Sequence, residues 1–563
     1  MNFQQQLYKQ FLTYDVNQIL EVIIKHHGDL ALIAEQLDAF AEELDENYAI
    51  LTLPAYRVPI MIDIPEIEYY ELPKTVSFQM RRSMDITCIH PVQLETSYNL
   101  TGKGVLIGII DSGIDYTHPD FRNPDGSTRI LYLWDQTAEG SPPSGFRNGH
   151  LFTKDDIDRA LVSDDPLSIV PEQDIIGHGT AVTGIAAGNG AASDGIEKGA
   201  APEAQLLIIK LRDQQTSSLV KSTDIMRSVK FCLDIAEGLE IPISINISYG
   251  TNDGSHNGDS LFERYLDSAS EQWKSVICVA TGNEGSAGHH FYGKLTQGQT
   301  IDVEFAIGEN IKQLYLTLWK CFADTFIIEM ISPSGLTTGE INTTQFLTRV
   351  TLDNVRITVI YGQPSHYCFN QEIYITMEGV NGAMPSDLWQ LKVNGVKIVD
   401  GAFNIWLPMI DMITNKTFFL VPNVEDTITI PATSCRVISV GGYSALLNTS
   451  ADFSGRGLPY VRFGQKPDLV APAVNILTTA VGGGYDVFSG TSVAAPFVTG
   501  SAALMMQWGQ IQNNDSFLYG QRVKAFLCRN AERNFPVEYP NSIWGYGILD
   551  LCSTMDDMVF YKQ

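Results

Sequence analysis

The sequence predicts an α/β protein: a doubly wound parallel sheet, with a small α+β module ahead of it and an all-β insert, a sandwich or jelly roll, within it. Continuous apolar runs such as "VLIGIID" and "SVICVA" alternate with helical stretches rich in small residues, as strands covered on both faces do. The alternation stops near residue 290, gives way to closely spaced strand runs, and resumes near residue 430. The insert therefore interrupts one domain. With 563 residues, 44% apolar and 18% charged, the chain has the length and composition of a folded, multidomain protein.

In chain order, residues 1–80 form the first module. "ILEVIIKHHGDL", "YAILTLP" and "IEYYELPK" read as strands, and "LALIAEQLDAFAEELDEN" as one amphipathic helix. "SFQMRRSMD", Ser77 to Asp85, is polar and basic and reads as an exposed hinge. Residues 81–290 carry the first part of the parallel sheet. Asp111, Ser248 and Asn283 all fall at carboxyl ends of its strands, where doubly wound sheets place their chemistry. Residues 291–430 are the β insert, with "LYLTLWKCF", "RVTLDNVRITVIYG" and "LWQLKVNG" among its strands. Residues 431–563 complete the α/β domain through "CRVISVGGYS", "KPDLVAPAVNI" and the helix opening at "GTSVAAP".

The net charge of −28 disfavours nucleic acid and anionic membranes as partners and favours a cationic one. No run of 18 apolar residues suggests a membrane span, and the N-terminus lacks a basic and apolar signal pattern. Synthesis in the cytoplasm is expected. The eight cysteines, with no CxxC pair, are expected to be buried free thiols and not a disulfide or zinc framework.

Three motifs carry nucleophilic chemistry. "IIDSGIDYTHPD" supplies Asp111, "GHGTAVTGI" supplies His178, and "SGTSVAAP" supplies Ser492 at a helix start. A serine nucleophile needs a base, and the base needs a carboxylate to fix its tautomer. Pro496 is expected in the first turn of that helix, where no intrahelical donor is required. "ATGNEG" places Asn283 where its amide could donate to an oxyanion together with the Ser492 N–H.

This set, with "KPDLVAP" and "WGYGILD", resembles the subtilisin family over roughly residues 95–290 and 430–555. Ala473 departs from the glycine usual there, which bears on a turn and not on the chemistry. The resemblance implies a serine endopeptidase with Asp111, His178 and Ser492 as triad and Asn283 as oxyanion donor. It also implies that Ser248, Tyr249 and Gly250 pair with substrate backbone as an added strand, with "LRDQQT" as the opposite wall. The first module looks like the family's propeptide, an intramolecular chaperone and inhibitor. Self-cleavage is expected in the region of Ser77, Phe78, Gln79, Met80, Arg81 and Arg82. The insert and the propeptide type resemble one branch, the clostridial germination proteases called Csp. That resemblance implies a propeptide that stays bound, a zymogen of a spore cortex hydrolase as protein substrate, and association with the spore.

Plainer readings stand beside these. His118 reads as a turn residue, and the pair His289–His290 as a solvated loop more than a metal pair. The acidic stretch Lys154 to Pro166 reads as a surface helix. It lacks the loop spacing of an EF-hand, so no metal ligand is named, no cofactor is required, and structural calcium stays unassigned. Trp319, Trp389 and Trp406 read as insert core more than as a glycan platform. Two other functions remain open: an idle pseudoprotease acting as a signal or germinant receptor, and a general degradative protease.

Overall fold

The computed structural model describes residues 19–71, 79–211, 220–343, 346–458 and 464–562. They fall into two compact units, Met1–Ser77 and Phe78–Gln563.

In the first unit β1 (Ile19–His26) pairs antiparallel with β3 (Tyr48–Pro54) and β4 (Ile67–Glu71), and β2 (Phe40–Glu43) pairs with β3. The apolar residues of β1 alternate, so Leu20, Val22 and Ile24 point into a core shared with Ile33 and Leu37 of α1 (Leu30–Leu37). The single long helix expected here is thus a short helix and a strand. Asp38 takes a left-handed conformation (φ 49°), closes α1 with its backbone N–H, and turns the following residues out to pair with β3.

The second unit opens with α2 (Gln79–Ile86) and α3 (Ile89–Gln93). Helix therefore occupies most of the stretch expected to be a hinge, and Ser83 and Met84 are buried. Ser77 and Phe78 lie outside the described residues, while Gln79, Met80, Arg81 and Arg82 form the first turn of α2.

The central sheet collects β5 (Leu106–Asp111), β6 (Ile130–Asp135), β7 (His150–Thr153), β8 (Gln205–Lys210), β9 (Ile243–Ile247) and β10 (Ser275–Ala280). It runs β10-β9-β5-β8-β6-β7, parallel except for the β7 edge. Every residue of β5, β9 and β10 is buried, because helices cover both faces. The helices in this part of the chain are α4 (Lys154–Leu161), α5 (His178–Ala187), α6 (Ser222–Leu239) and α7 (Leu261–Ala269). The acidic stretch is indeed helical: α4 starts with a capping box between Thr153 and Asp156.

The insert is a two-sheet sandwich. Its larger sheet orders β11 (His290–Lys294), β19 (Ala402–Trp406), β13 (Gln313–Cys321), β17 (Asn370–Gly379), β16 (Val355–Tyr361) and β15 (Leu347–Leu352). The smaller orders β14 (Thr325–Ile331), β18 (Leu388–Lys397), β12 (Thr300–Ala306) and β20 (Phe418–Phe419). "RVTLDNVRITVIYG" is a hairpin and not one strand: Asp353 and Asn354 both have positive φ, the turn whose twist matches that of the strands. Trp389 and Trp406 are buried, and Trp319 is half-buried.

The insert is fastened at its two chain crossings. The Trp406 ring lies between His256 (centroids 4.1 Å apart) and His290 (4.8 Å), both stacked. Burial pushes both imidazoles down to about 4, so they are neutral at ordinary pH. His289 and His290 are therefore buried joint residues, not a solvated loop. His289 bonds Glu284 and the Thr417 carbonyl, and His290 bonds the Glu425 carbonyl and Asn404.

After the insert come β21 (Ile438–Ser444), β22 (Thr449–Ser450), β23 (Leu469–Pro472), β24 (Ile476–Ala480) and β25 (Gly484–Phe488). Strand β21 joins the sheet beside β10. Three helices close the chain: α8 (Thr491–Met506), α9 (Gly520–Asn530) and α10 (Leu551–Lys562). The cysteine expectation needs one correction: Cys88, just before α3, is disulfide-bonded to Cys552 on α10, with Cα atoms 5.5 Å apart. The partners are 464 positions apart, so no local spacing signals the bond. Of the other six, Cys232, Cys278, Cys368 and Cys528 are buried, Cys321 is half-buried and Cys435 is exposed. No described helix is long and apolar enough to cross a membrane.

Candidate active site

Asp111 is the last residue of β5 and His178 the first of α5. The His178 Nδ1 lies 2.7 Å from Asp111 Oδ1, which also accepts the Ser112 backbone N–H at 2.7 Å. The carboxylate is 1% exposed and the imidazole 28%, so the ring is held at its Asp111 end and reaches toward solvent. Burial works to lower the His178 pKa. The Asp111 carboxylate, together with Asp174 and Asp411, outweighs it and holds the imidazole above the ordinary 6.5.

This approach requires a glycine beside the histidine. A Cβ on Gly179 would lie 2.2 Å from the Gly113 carbonyl oxygen and 3.2 Å from the Asp111 Cβ. A buried brace then fixes the start of α5. Asp174 accepts the Gly177 and Thr180 backbone N–H groups and the Thr180 hydroxyl, and Ser112 Oγ donates to it while accepting the Gly179 N–H. Asp174 thereby satisfies N–H groups that a helix start leaves open. It was not singled out in the sequence. The signal would have been an acidic residue four places before the histidine of "DIIGHGT".

Helix α8 packs against α5 and against β9 and β10. Of its 16 residues all are buried except Ser492. Pro496 sits in the second turn and not the first. Its missing N–H leaves the Ser492 carbonyl, four residues back, without the usual helical donor. Ser248 supplies one: its Oγ donates to that carbonyl at 3.1 Å, and itself accepts from Asn246 Nδ2 at 2.9 Å. Asn246 Oδ1 in turn accepts the Thr499 hydroxyl, and Ser244 Oγ donates to the Thr499 carbonyl. The polar positions of "ISINISYG" thus stitch β9 to α8. Ser248→Ala is expected to lower stability by about 1 kcal/mol, read as a lower denaturant midpoint at unchanged slope.

Asn283 follows β10. Its Oδ1 accepts the Thr491 backbone N–H at 3.0 Å and the Thr491 hydroxyl at 3.2 Å, which orients the amide nitrogen away from that contact. Gly490 shows where it goes. At φ +148°, a Cβ there would lie 3.1 Å from Ser492 Oγ and 3.3 Å from Asn283 Nδ2. A side chain would fill the space that the hydroxyl and the amide both face.

Two pairs therefore stand on packed elements, Asp111 with His178 and Asn283 with Ser492. Gly250 follows Ser248 and Tyr249 beyond β9, close to Thr429. Of "LRDQQT", Leu211 is buried and the remainder lies outside the described residues. His118 caps a short helical turn, accepting the Asp120 N–H. Among the described residues, no group of three or more His, Cys, Asp or Glu is placed to hold a metal ion.

A family model described as "Subtilase family" matches residues 102–308 and 414–547, leaving out most of the insert. Another, "Csp protease B prodomain", matches residues 2–74. The solved structure of the Clostridium perfringens CspB protease is 39% identical, with a TM-score of 0.78 over 85% of this chain and 99% of that one. The PI-type proteinase of Lactococcus lactis subsp. cremoris is 24% identical over 91% of this chain, which spans 28% of that protein's length. Serine protease AprX of Bacillus subtilis (strain 168) is 30% identical over 33% of this chain and 34% of its own.

Proposed function

Because this chain belongs to the subtilase family, we propose that it is a serine endopeptidase that cleaves itself ahead of its catalytic unit and then activates a zymogen by limited proteolysis. The observation that supports this reading most is the 2.7 Å Asp111–His178 contact, on a helix packed against the one that leaves Ser492 alone unburied. His178 Nε2 takes the Ser492 proton as Oγ bonds to the scissile carbonyl carbon. Asp111 accepts Nδ1–H and so sets the tautomer and stabilises the imidazolium. The oxyanion is held by Asn283 Nδ2 and the Ser492 N–H. His178 then protonates the leaving amine as the C–N bond breaks, and water repeats the cycle on the acyl-enzyme.

Self-cleavage falls in the Ser77–Arg82 region, and the clipped module stays bound as an inhibitor. A spore cortex hydrolase precursor is the substrate that likeness to the Csp group suggests. A module kept in place restricts access, which favours one processing role over general degradation. The test is Asn283→Ala. Turnover is expected to fall roughly 10²–10³-fold with KM little changed, and unaltered turnover would rule the oxyanion role out.

A further inference from the structure

The segment between β19 and β20 of the insert forms a tight turn next to Glu284, the neighbour of Asn283. Leu407 is clamped at both polar atoms: its N–H donates to the His289 carbonyl at 2.9 Å, and its carbonyl accepts from Asn252 Nδ2 at 3.1 Å. The Met412 N–H then closes the turn onto the Met409 carbonyl at 2.9 Å, with Ile410 and Asp411 at its tip. That tip is pinned by Glu284, the residue after Asn283. Buried Glu284 accepts the Ile410 N–H at 3.0 Å through Oε1, and holds Asn252 (3.1 Å) and His289 (2.6 Å) through Oε2.

Asp411 is exposed at that tip. It is one peptide away from the backbone group bound beside Asn283, and it lies within electrostatic reach of the His178 imidazole. No hydrogen bond or ion pair occupies its carboxylate among the described residues. Partial desolvation and Glu284 hold its carboxyl above the ordinary aspartate value, while His178 draws it back. A carboxylate on a turn pinned next to Asn283, and within electrostatic reach of His178, can act on the residues that flank the bond being cut.

The chain's own candidate cleavage segment fits it. "SFQMRRSMD" carries an adjacent pair, Arg81 and Arg82, in a chain where 65 acidic residues outnumber 37 basic ones. We propose that Asp411 selects substrates carrying an arginine or lysine close to the scissile bond, so that the insert contributes a specificity residue to the catalytic domain. This rests on the protease reading above.

The test uses the full-length protein and a set of peptides built on the Ser77–Asp85 sequence, each with arginine or glutamine at one position near the cut bond. The readout is the arginine-to-glutamine ratio of kcat/KM, which a variant of lower overall activity still reports. For wild type we expect a ratio of roughly three to ten at one position, as a partly solvated ion pair supplies. Asp411→Asn should bring it to about one, Asp411→Glu should keep it, and Asp411→Lys should bring it below one, in favour of glutamine. The pair is screened, so 1 M salt should shrink the wild-type ratio. Cleavage of the glutamine peptides with no gain for arginine, or a ratio that survives in Asp411→Asn, would overturn the Asp411 assignment and leave the protease reading standing. Failure to cleave any peptide, the glutamine ones included, by a protein that also fails to cleave itself would overturn both.

Discussion

Purified wild-type protein is expected to run as two fragments, one of roughly 80 residues, whereas Ser492→Ala stays whole, because only the serine can open the acyl-transfer path. The effect should be the largest of any single substitution, about 10⁶-fold in turnover, since losing the nucleophile disables base and carboxylate with it. The fold should survive: Ser492 is the one residue of α8 that is not buried, so trimming its hydroxyl leaves no core cavity. Its carbonyl, which Ser248 bonds, is untouched. A denaturing gel with intact mass measurement reads the outcome and fixes the cleaved bond. If wild type and variant both stay whole, the triad is idle and a receptor-like role becomes the better account.

Asp111→Asn should cost about 10⁴-fold in turnover with the fold intact. The asparagine is the same size, but where its amide nitrogen faces Nδ1 the imidazole must accept there, which places the proton on Nε2. That nitrogen can then no longer take the Ser492 proton. The pH profile separates this from a general loss of structure. In wild type the Asp111 carboxylate holds His178 above 6.5. A base must be neutral to act, so activity is lost as pH falls through that raised value, and the acid limb of kcat/KM lies above 6.5. Without the carboxylate, burial is the dominant influence and lowers the His178 pKa, so the residual activity should keep its acid limb at lower pH. An unmoved limb would mean that another group sets the titration.

The parallel sheet and the interruption by the insert were legible because both are written in periodicity. Buried strands are continuous apolar runs, whereas strands with two unlike faces alternate. The motif residues were legible because each sits at a strand or helix end with a local signature. What was hidden depends on partners far apart in sequence. Cys88 and Cys552 are joined by the packing of α3 and α10, which no spacing rule reaches. Ser248 read as a substrate-strand residue. Its hydroxyl bond to the Ser492 carbonyl becomes visible only once Pro496 is placed in the second turn of α8. His289 and His290 looked like loop residues because their burial comes from β19, Glu425 and Thr417, more than a hundred positions later. The single long helix expected in the first module failed for a local reason, the left-handed Asp38.

Helix α8 has a consequence for timing. It packs against β5, β9, β10, β21, β23 and α5, and its apolar residues belong to the largest core cluster of the second unit. A growing chain makes β5 and α5 early, then the whole insert, and α8 only afterwards. Until α8 arrives, the sheet face it covers has no filling, and neither Ser492 nor the Thr491 N–H that orients Asn283 exists. The proposed nucleophile thus rides on the element that completes the core. A nascent chain with Asp111 and His178 already made has nothing to cut with, and becoming folded and becoming armed are one event.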